Sequence, residues 1–159
     1  MNPYIKVGME VTPKLIERLL VRFGEDRYDE RLPDRFSVRE VMAHLADWEP
    51  IMRDRIRTAV ESPESAVEAY DEVARAEEKG YSSTDPKQSL ETWKSERAKT
   101  IEYVASLPEE AWHRRARHPE RGWLTASDFA AMIPLHDIYH VEQLDAMLGE
   151  GEDRVIPVW

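Results

Sequence analysis

Three of the five histidines in this sequence are spaced so that their ring nitrogens could reach one metal ion. His136 and His140 form an H-x-x-x-H pair. Residues four apart on an α-helix lie on the same face, about 6 Å apart, because the helix has about 3.6 residues per turn. His44 is distant in the sequence and would supply a third nitrogen from a neighbouring helix.

Three imidazoles fill only part of the coordination shell of zinc, nickel or iron, and no fourth protein ligand is evident. Such an open site leaves positions for water or substrate, so the ion can acidify a bound water or thiol, or polarise an oxygen. The alternative is that each histidine is a partly buried side chain paired with carbonyls or carboxylates. No glutamate follows His136, so the zincin motif H-E-x-x-H is absent.

Helical periodicity predicts the elements that would position these residues. A Thr-Pro pair at 12–13 is a favoured helix start, and Gly24 ends the apolar stripe of the first long helix. The pattern from Ser37 to Glu40 matches a capping box and opens the second helix, which runs to about 62–63. His44 lies on the apolar face of that helix.

The third and fourth long helices are predicted from similar signals. A turn cluster at 81–86 precedes the third helix, which ends near Pro108. Residues 125–128 start the fourth helix, and Gly149 and Gly151 end it. Its apolar seam includes both histidines of the H-x-x-x-H pair, so all three candidate ligands are expected to point inward.

Four long amphipathic helices with connections of mixed length predict an all-α, four-helix bundle in a single domain spanning 1–159. Residues 64–79 predict a short accessory helix, or an excursion over the bundle, between the second and third helices. The connections between the first two helices and between the middle two are long enough to permit parallel neighbours. The apolar tail at 155–159 is expected to dock on the bundle or on a partner subunit.

Composition excludes several classes of function. The net charge of −10 argues against generic binding to nucleic acid or anionic membranes. The sequence has no cysteine, which excludes disulfides, thiolate metal ligands and a cysteine nucleophile. We find no signal peptide and no membrane span, and expect a cytoplasmic protein. The basic stretch at 112–119 is interpreted as a solvated loop, and its two histidines are left out of the site.

Three charged residues are candidates for supporting the site. Arg97 falls on the inward face of the third helix, where a charge is costly unless it is paired. It could bind an anionic substrate group, pair with an inward glutamate such as Glu40, or extend to the rim. Asp47 and Asp137 are sequence neighbours of the histidines and could accept hydrogen bonds from their second ring nitrogens. Asp137 could equally face solvent.

From about Glu10 to Leu144 the sequence resembles the DinB/YfiT-like superfamily of metal-dependent enzymes. The resemblance rests on four features of the sequence. They are His44-Leu-Ala-Asp47-Trp48, Arg97, Gly122-Trp-Leu-Thr125 and His136-Asp137-x-x-His140-x-x-Gln143. It implies a four-helix bundle with up-up-down-down topology and a divalent metal ion, zinc, nickel or iron, held by His44, His136 and His140.

The resemblance also implies an activity. Family members of known activity transfer low-molecular-weight thiols to electrophiles or isomerise with a thiol cofactor, and others are hydrolases. We therefore expect a small-thiol S-transferase with a thiol co-substrate, or a hydrolase, acting on a small molecule and forming a homodimer. One alternative is a non-catalytic, metal- or ligand-binding stress protein. Another is a structural bundle with histidines in its core.

Overall fold

A computed structural model of the protein describes residues 2–149. The helices within this range are α1 (Pro3–Arg22), α2 (Val38–Glu61), α3 (Glu72–Lys79), α4 (Pro86–Ser106) and α5 (Ala126–Leu148). An antiparallel hairpin of β1 (Arg115–His118) and β2 (Gly122–Thr125) precedes α5. Across 2–149, no helix is both long and apolar enough to cross a membrane. The tail at 155–159 lies outside the described residues, so its docking stays a prediction.

The four long helices α1, α2, α4 and α5 pack as a bundle, which confirms the predicted fold class. α2 packs against both α4 and α5, and α1 packs mainly against α5. The core consists of two apolar clusters along the bundle. One includes Met9, Met52, Ile56, Phe129 and Ile133, and the other includes Ile16, Val41, Leu45, Trp93 and Leu144. The three histidines lie near the boundary between these clusters.

Contacts along the bundle give the direction of each helix. α1 and α5 are parallel, since Thr12 donates to Asp137 and Arg22 further along pairs with Asp145. α2 and α4 are also parallel. Val41 and Leu90, near the starts of the two helices, lie in one apolar cluster, and Ile56 and Val104, near their ends, lie in the other. α2 is antiparallel to α5, because the start of α2 packs against the end of α5.

The order of directions is therefore up-down-down-up, and the expected up-up-down-down order was wrong. The link between α1 and α2 does not span the bundle. Its residues Phe23 and Tyr28 are buried in the cluster at the end where α1 finishes, so α2 begins at that same end. The middle two long helices are parallel, as the length of their connection permits, and that connection contains α3.

The start of α1 differs from its prediction by ten residues. Asn2 caps the helix and Pro3 occupies its first turn, so Pro13 lies inside the helix rather than at its start. Proline has no N–H to donate to the carbonyl four residues earlier, which here is that of Met9. That carbonyl instead accepts a hydrogen bond of 3.1 Å from Arg97 Nη1. A tertiary contact thus compensates for the internal proline.

Gly8 of α1 lies where Pro134 of α5 approaches most closely. A Cβ atom at Gly8 would be 2.8 Å from Pro134 Cβ, which real contacts do not tolerate. We predict that Gly8→Ala lowers the free energy of unfolding by about 1–3 kcal/mol, because α1 must shift away from α5. Urea unfolding would measure this, with the exposed Val7→Ala as control. A Gly8→Ala protein as stable as the wild type would contradict the close packing.

The predicted starts of α2 and α5 are confirmed, as is the capping box predicted for α2. Ser37 and Glu40 form a reciprocal capping box at the start of α2. Thr125 and Asp128 form a second one at the start of α5. Each box satisfies backbone N–H groups that the first helical turn leaves unpaired, and so fixes where the helix begins. These two helices carry the three histidines.

The stretch around 109–125 is more ordered than the predicted loop, since it contains a 3₁₀ turn and the β1–β2 hairpin. The hairpin continues onto part of the predicted accessory segment. Val67 N donates to Arg117 O, and Arg117 N donates to Ser65 O. Only Glu72–Lys79 of this segment is helical, between a cap at Asp71 and a left-handed Gly80.

Candidate metal centre

The structure brings His44, His136 and His140 together with their Nε2 atoms facing one another. The Nε2 atoms of His44 and His136 are 2.8 Å apart, and those of His136 and His140 are 3.3 Å apart. α5 presents its two histidines on one face, opposite the His44 turn of antiparallel α2. His44 and His140 are buried and His136 is half-buried, so the cluster is reached from the His136 side.

This arrangement fits a divalent metal ion. A tetrahedral zinc ion bound at about 2.0–2.1 Å holds its ligand nitrogens about 3.3 Å apart, which matches the spacing of His136 and His140. The shorter spacing of His44 and His136 requires a movement of a few tenths of an ångström. Within residues 2–149, this is the group of three metal-ligating side chains found close together.

The electrostatics of the cluster favour neutral imidazoles. Burial lowers the pKa of His140 to about 4. Burial also lowers the pKa values of His44 and His136 well below the usual histidine range, and the neighbouring histidines lower them further. At neutral pH all three rings are uncharged, which is the form that binds metal ions.

Gln143 orients His140. The His140 Nδ1 atom lies 3.0 Å from Gln143 Oε1, and Gln143 Nε2 donates to the Phe36 carbonyl at 2.7 Å. Because the amide oxygen accepts, Nδ1 carries the proton and the lone pair of Nε2 points into the cluster. This role of Gln143 was not predicted, although its position three residues after His140 places it on the same helical face.

We predict that Gln143→Ala weakens metal binding by about 10–100-fold, because loss of such an outer hydrogen bond frees the ligand ring to rotate. Competition with a chromophoric zinc chelator would give the affinity. Gln88→Ala, at an exposed position on α4, is the control and should bind like the wild type. Equal affinity in Gln143→Ala would mean that Gln143 does not orient the ligand.

Arg97 forms a buried ion-pair network away from the histidines. Its Nε and Nη2 donate to the two carboxylate oxygens of Glu49 at 2.9 and 2.7 Å, and Nη1 donates to Asp137 Oδ2 at 2.8 Å. Arg97 is 2 % exposed. The interpretation as an inward ion pair is supported, but the partners are Glu49 and Asp137 rather than Glu40. The pairing leaves the guanidinium without a free edge for a substrate.

Asp137 lies in the core, where it binds Arg97 and the Thr12 hydroxyl. Burial raises its pKa, and the Arg97 charge opposes that rise. Asp137 therefore faces α1 and α4 rather than solvent, and it contacts no ring nitrogen of the three histidines. Glu49 and Thr12 were not predicted to join Asp137 and Arg97 in this network, because their proximity depends on how the helices pack.

Asp47 attaches α3 to the bundle. Its carboxylate accepts a hydrogen bond of 2.8 Å from Arg75 Nη2 of α3 and one of 2.7 Å from the Tyr81 hydroxyl. Burial and the bond to Asp47 raise the pKa of Tyr81. Like Asp137, Asp47 does not receive a hydrogen bond from a histidine. Asp47 lies one turn after His44, so its bonds to Arg75 and Tyr81 hold α3 close to the His44 side of the metal centre.

Aromatic side chains surround the three histidines. The rings of Phe36 and Trp48 each lie 5.2 Å from the His44 ring, and Tyr139 lies 5.2 Å from the His140 ring. Trp48 is buried and Phe36 is half-buried, so these two rings shield the His44 side of the cluster from water, which strengthens electrostatic effects on a group bound there.

Comparison with known proteins places the chain in a family. A sequence profile described as "DinB superfamily" matches residues 9–144. Among curated proteins, none matches this chain.

Two solved folds are similar. One is YfiT from Bacillus subtilis, described as a probable metal-dependent hydrolase with an unusual four-helix bundle topology. It superposes with a TM-score of 0.84 at 20% sequence identity, and the match covers 91% of this chain and 84% of YfiT. A mycothiol-dependent maleylpyruvate isomerase superposes with a TM-score of 0.74 at 15% identity over 89% of this chain. This chain covers 60% of the isomerase. At these identities the likeness concerns the fold.

Proposed function

The chain belongs to the DinB superfamily, and on this premise we propose that it is an enzyme that binds one divalent metal ion through His44, His136 and His140. The observation that carries the proposal is the convergence of three histidine Nε2 atoms, two of them from buried residues, on one point. Their rings are neutral and one of them is oriented by Gln143. The half-buried His136 marks the side from which a substrate enters.

When bound, a divalent ion at this site would lower the pKa of a thiol or a water and supply a nucleophile at neutral pH. The residues of the chain then position and shield the reactants. The three imidazoles define where the nucleophile sits, and Phe36 and Trp48 shield the His44 side from bulk water. Three carboxylates close in sequence to the histidines, those of Asp47, Glu49 and Asp137, are all held in ion pairs. None of these three is therefore free to act as a general base.

We propose that the nucleophile is a low-molecular-weight thiol, which makes the protein an S-transferase for electrophilic small molecules. A thiolate does not need a separate general base once its pKa is lowered. The similar fold of a mycothiol-dependent isomerase supports this choice. Hydrolysis is the second candidate, and the similar fold of YfiT supports it.

Turnover by metal-loaded protein, purified without a histidine tag, tests these candidates. We expect glutathione or cysteine to be consumed with 1-chloro-2,4-dinitrobenzene, and the rate to be lost in His44→Ala and His140→Ala. Metal-dependent cleavage of 4-nitrophenyl acetate without thiol consumption would instead support a hydrolase. Rates that neither histidine substitution changes would remove the catalytic proposal.

A non-catalytic, metal- or ligand-binding protein is the remaining candidate, and the deep burial of His44 and His140 favours it. The discriminating property is whether the metal keeps an exchangeable water. Water-proton relaxation of Mn²⁺-loaded protein measures this exchange. Rapid exchange supports the enzyme, whereas its absence, together with absence of turnover, supports sequestration.

The expected homodimer also remains a proposal, and α1 and α5 offer a face for it. Leu135 and Ile138 are 64 % and 52 % exposed, beside a groove that carries both arginines and acidic residues. A two-fold interface is self-complementary, so such mixed charges suit a second copy of the same chain. We predict that the double substitution Leu135→Glu and Ile138→Glu yields a monomer in light scattering. Val73→Glu, exposed on α3, is the control, and an unchanged dimer would move the interface elsewhere.

A further inference from the structure

One face of α2 carries a row of buried nitrogens without hydrogen-bond partners. In the described part of the chain, four buried side-chain nitrogen or oxygen atoms lack a partner, and three of them are His44 Nδ1, Trp48 Nε1 and Arg55 Nε. Residues at these spacings share a face, because four, seven and eleven residues are close to whole numbers of helical turns. The row leads from the three histidines along the bundle.

Arg55 is the most unusual member of this row. It is 7 % exposed, and no described carboxylate forms an ion pair with it. Its recorded contacts are a 3.4 Å hydrogen bond from Nη2 to the Glu68 carbonyl and a position 5.4 Å from the centre of the Trp48 ring. Burial lowers its pKa. A buried charge that forms no ion pair is costly to a fold, so structural stability alone does not account for this arginine.

Arg55 differs in its pairing from Arg97, another buried arginine. Both arginines are buried in the same bundle, but Arg97 is held by Glu49 and Asp137. The Nε atom of Arg55 is buried and has no hydrogen-bond partner. Its Nη1 atom donates to no described atom either, but it is not sealed from solvent. In Arg97 the Nε/Nη2 edge binds the Glu49 carboxylate, whereas the same edge of Arg55 carries only the 3.4 Å contact of Nη2 to the Glu68 carbonyl and no carboxylate.

Trp48 connects Arg55 to the metal centre. Its ring centre lies 5.2 Å from that of His44 and 6.4 Å from that of His136. The Arg55 guanidinium carbon lies 5.4 Å from the centre of the same Trp48 ring. A small molecule that reacts at the three histidines would thus reach the indole N–H and the guanidinium with a group only a few atoms away.

We propose that Arg55, with the Trp48 indole N–H, binds a carboxylate of the molecule that reacts at the three-histidine centre. This inference rests on the proposed function, because it names the substrate class of the same site. Glu72 and Glu120 act electrostatically on Arg55, and Arg121 opposes them. Together these three neighbours carry one net negative charge, which disfavours a doubly charged phosphate more than a singly charged carboxylate.

NMR titration of the full chain tests this assignment directly. Propionate is added to metal-free and to zinc-loaded protein, while the Arg55 Nε–H and Trp48 Nε1–H signals are followed. We expect saturable shifts of both signals with propionate and none with the uncharged propionamide. Arg55→Met should weaken propionate binding, read at the Trp48 signal, at least tenfold. The matched control Arg57→Met, at an exposed position two residues further on, should bind like the wild type.

The same samples separate a functional from a structural role. Because Arg55→Met removes an unpaired buried charge, its melting temperature should equal or exceed that of the wild type. Arg55→Lys keeps the charge but loses the bidentate edge, so it should also bind propionate more weakly.

Absence of saturable shifts in the wild type, unchanged binding in Arg55→Met and Arg55→Lys, or equally tight binding of inorganic phosphate would each overturn the assignment. Metal analysis of the same samples distinguishes the two proposals, since propionate binding by a protein that takes up no zinc would contradict only the metal centre.

Discussion

Arg97→Met is expected to lower the free energy of unfolding by about 3–5 kcal/mol, the largest effect on stability that we predict. The substitution preserves apolar volume but leaves Glu49 and Asp137 buried without the cation that both contact. It also leaves the Met9 carbonyl without the donor that compensates for Pro13. The network links α1, α2, α4 and α5, so its loss affects the whole bundle.

Urea unfolding at pH 7.5 would measure this loss, with Arg57→Met as control. Arg57 is exposed and pairs with Asp54 on its own helix, so its replacement should cost less than about 1 kcal/mol. An Arg97→Met protein within about 1 kcal/mol of the wild type would contradict a structural role for the network.

The loss in Arg97→Met should depend on pH in a defined direction. Burial already raises the pKa of Asp137, and removal of the cation raises it further. A carboxyl whose folded pKa exceeds its unfolded value binds more protons in the native state, so stability falls as pH rises through the folded value. The defect should therefore be smaller at pH 5 than at pH 7.5. The further substitution Asp137→Asn should recover part of the stability at pH 7.5.

His140→Ala is expected to weaken zinc binding by more than about 100-fold. This exceeds the loss expected for Gln143→Ala, because His140→Ala removes a ligand rather than a hydrogen bond to a ligand. His140 is buried, neutral and held by Gln143, so its Nε2 is the best-oriented nitrogen of the three. A metal ion at 100 times its dissociation constant stabilises the folded state by about 2.7 kcal/mol. The wild type should thus melt at a higher temperature when zinc is added, whereas His140→Ala should not.

His113→Ala is the matched control for this experiment. His113 is exposed and lies in the 3₁₀ turn before the hairpin, so its replacement should leave both the zinc affinity and the zinc-dependent melting shift unchanged. Wild-type affinity in His140→Ala would show that zinc binds elsewhere.

Local sequence signals predicted much of the fold. The starts of α2 and α5 follow from their capping boxes, since such hydrogen bonds involve residues only three apart. The start of α1 did not follow, because Pro13 resembles a helix start until Arg97 is seen to satisfy the Met9 carbonyl. The hairpin strands are only four residues long, and β1 is rich in arginine and histidine, so the pair shows little of the usual apolar alternation.

The candidate site was predictable to the extent that it depends on helix faces. The inward positions of His44, His136 and His140 follow from periodicity, and the structure brings them together. The partners of Asp47, Arg97 and Asp137 depend on which helices are neighbours and on their relative heights. No short sequence pattern gives the relative heights of neighbouring helices. The expected order of helix directions was also wrong.

Metal content measured by inductively coupled plasma mass spectrometry tests the central claim most directly. The protein would be purified without a histidine tag and dialysed with excess zinc or nickel, followed by removal of unbound ions. Three converging neutral imidazoles predict one ion per chain, and less than about a tenth of that in a His44→Ala/His140→Ala double variant. Folded wild-type protein with no more metal than this double variant would contradict the metal centre.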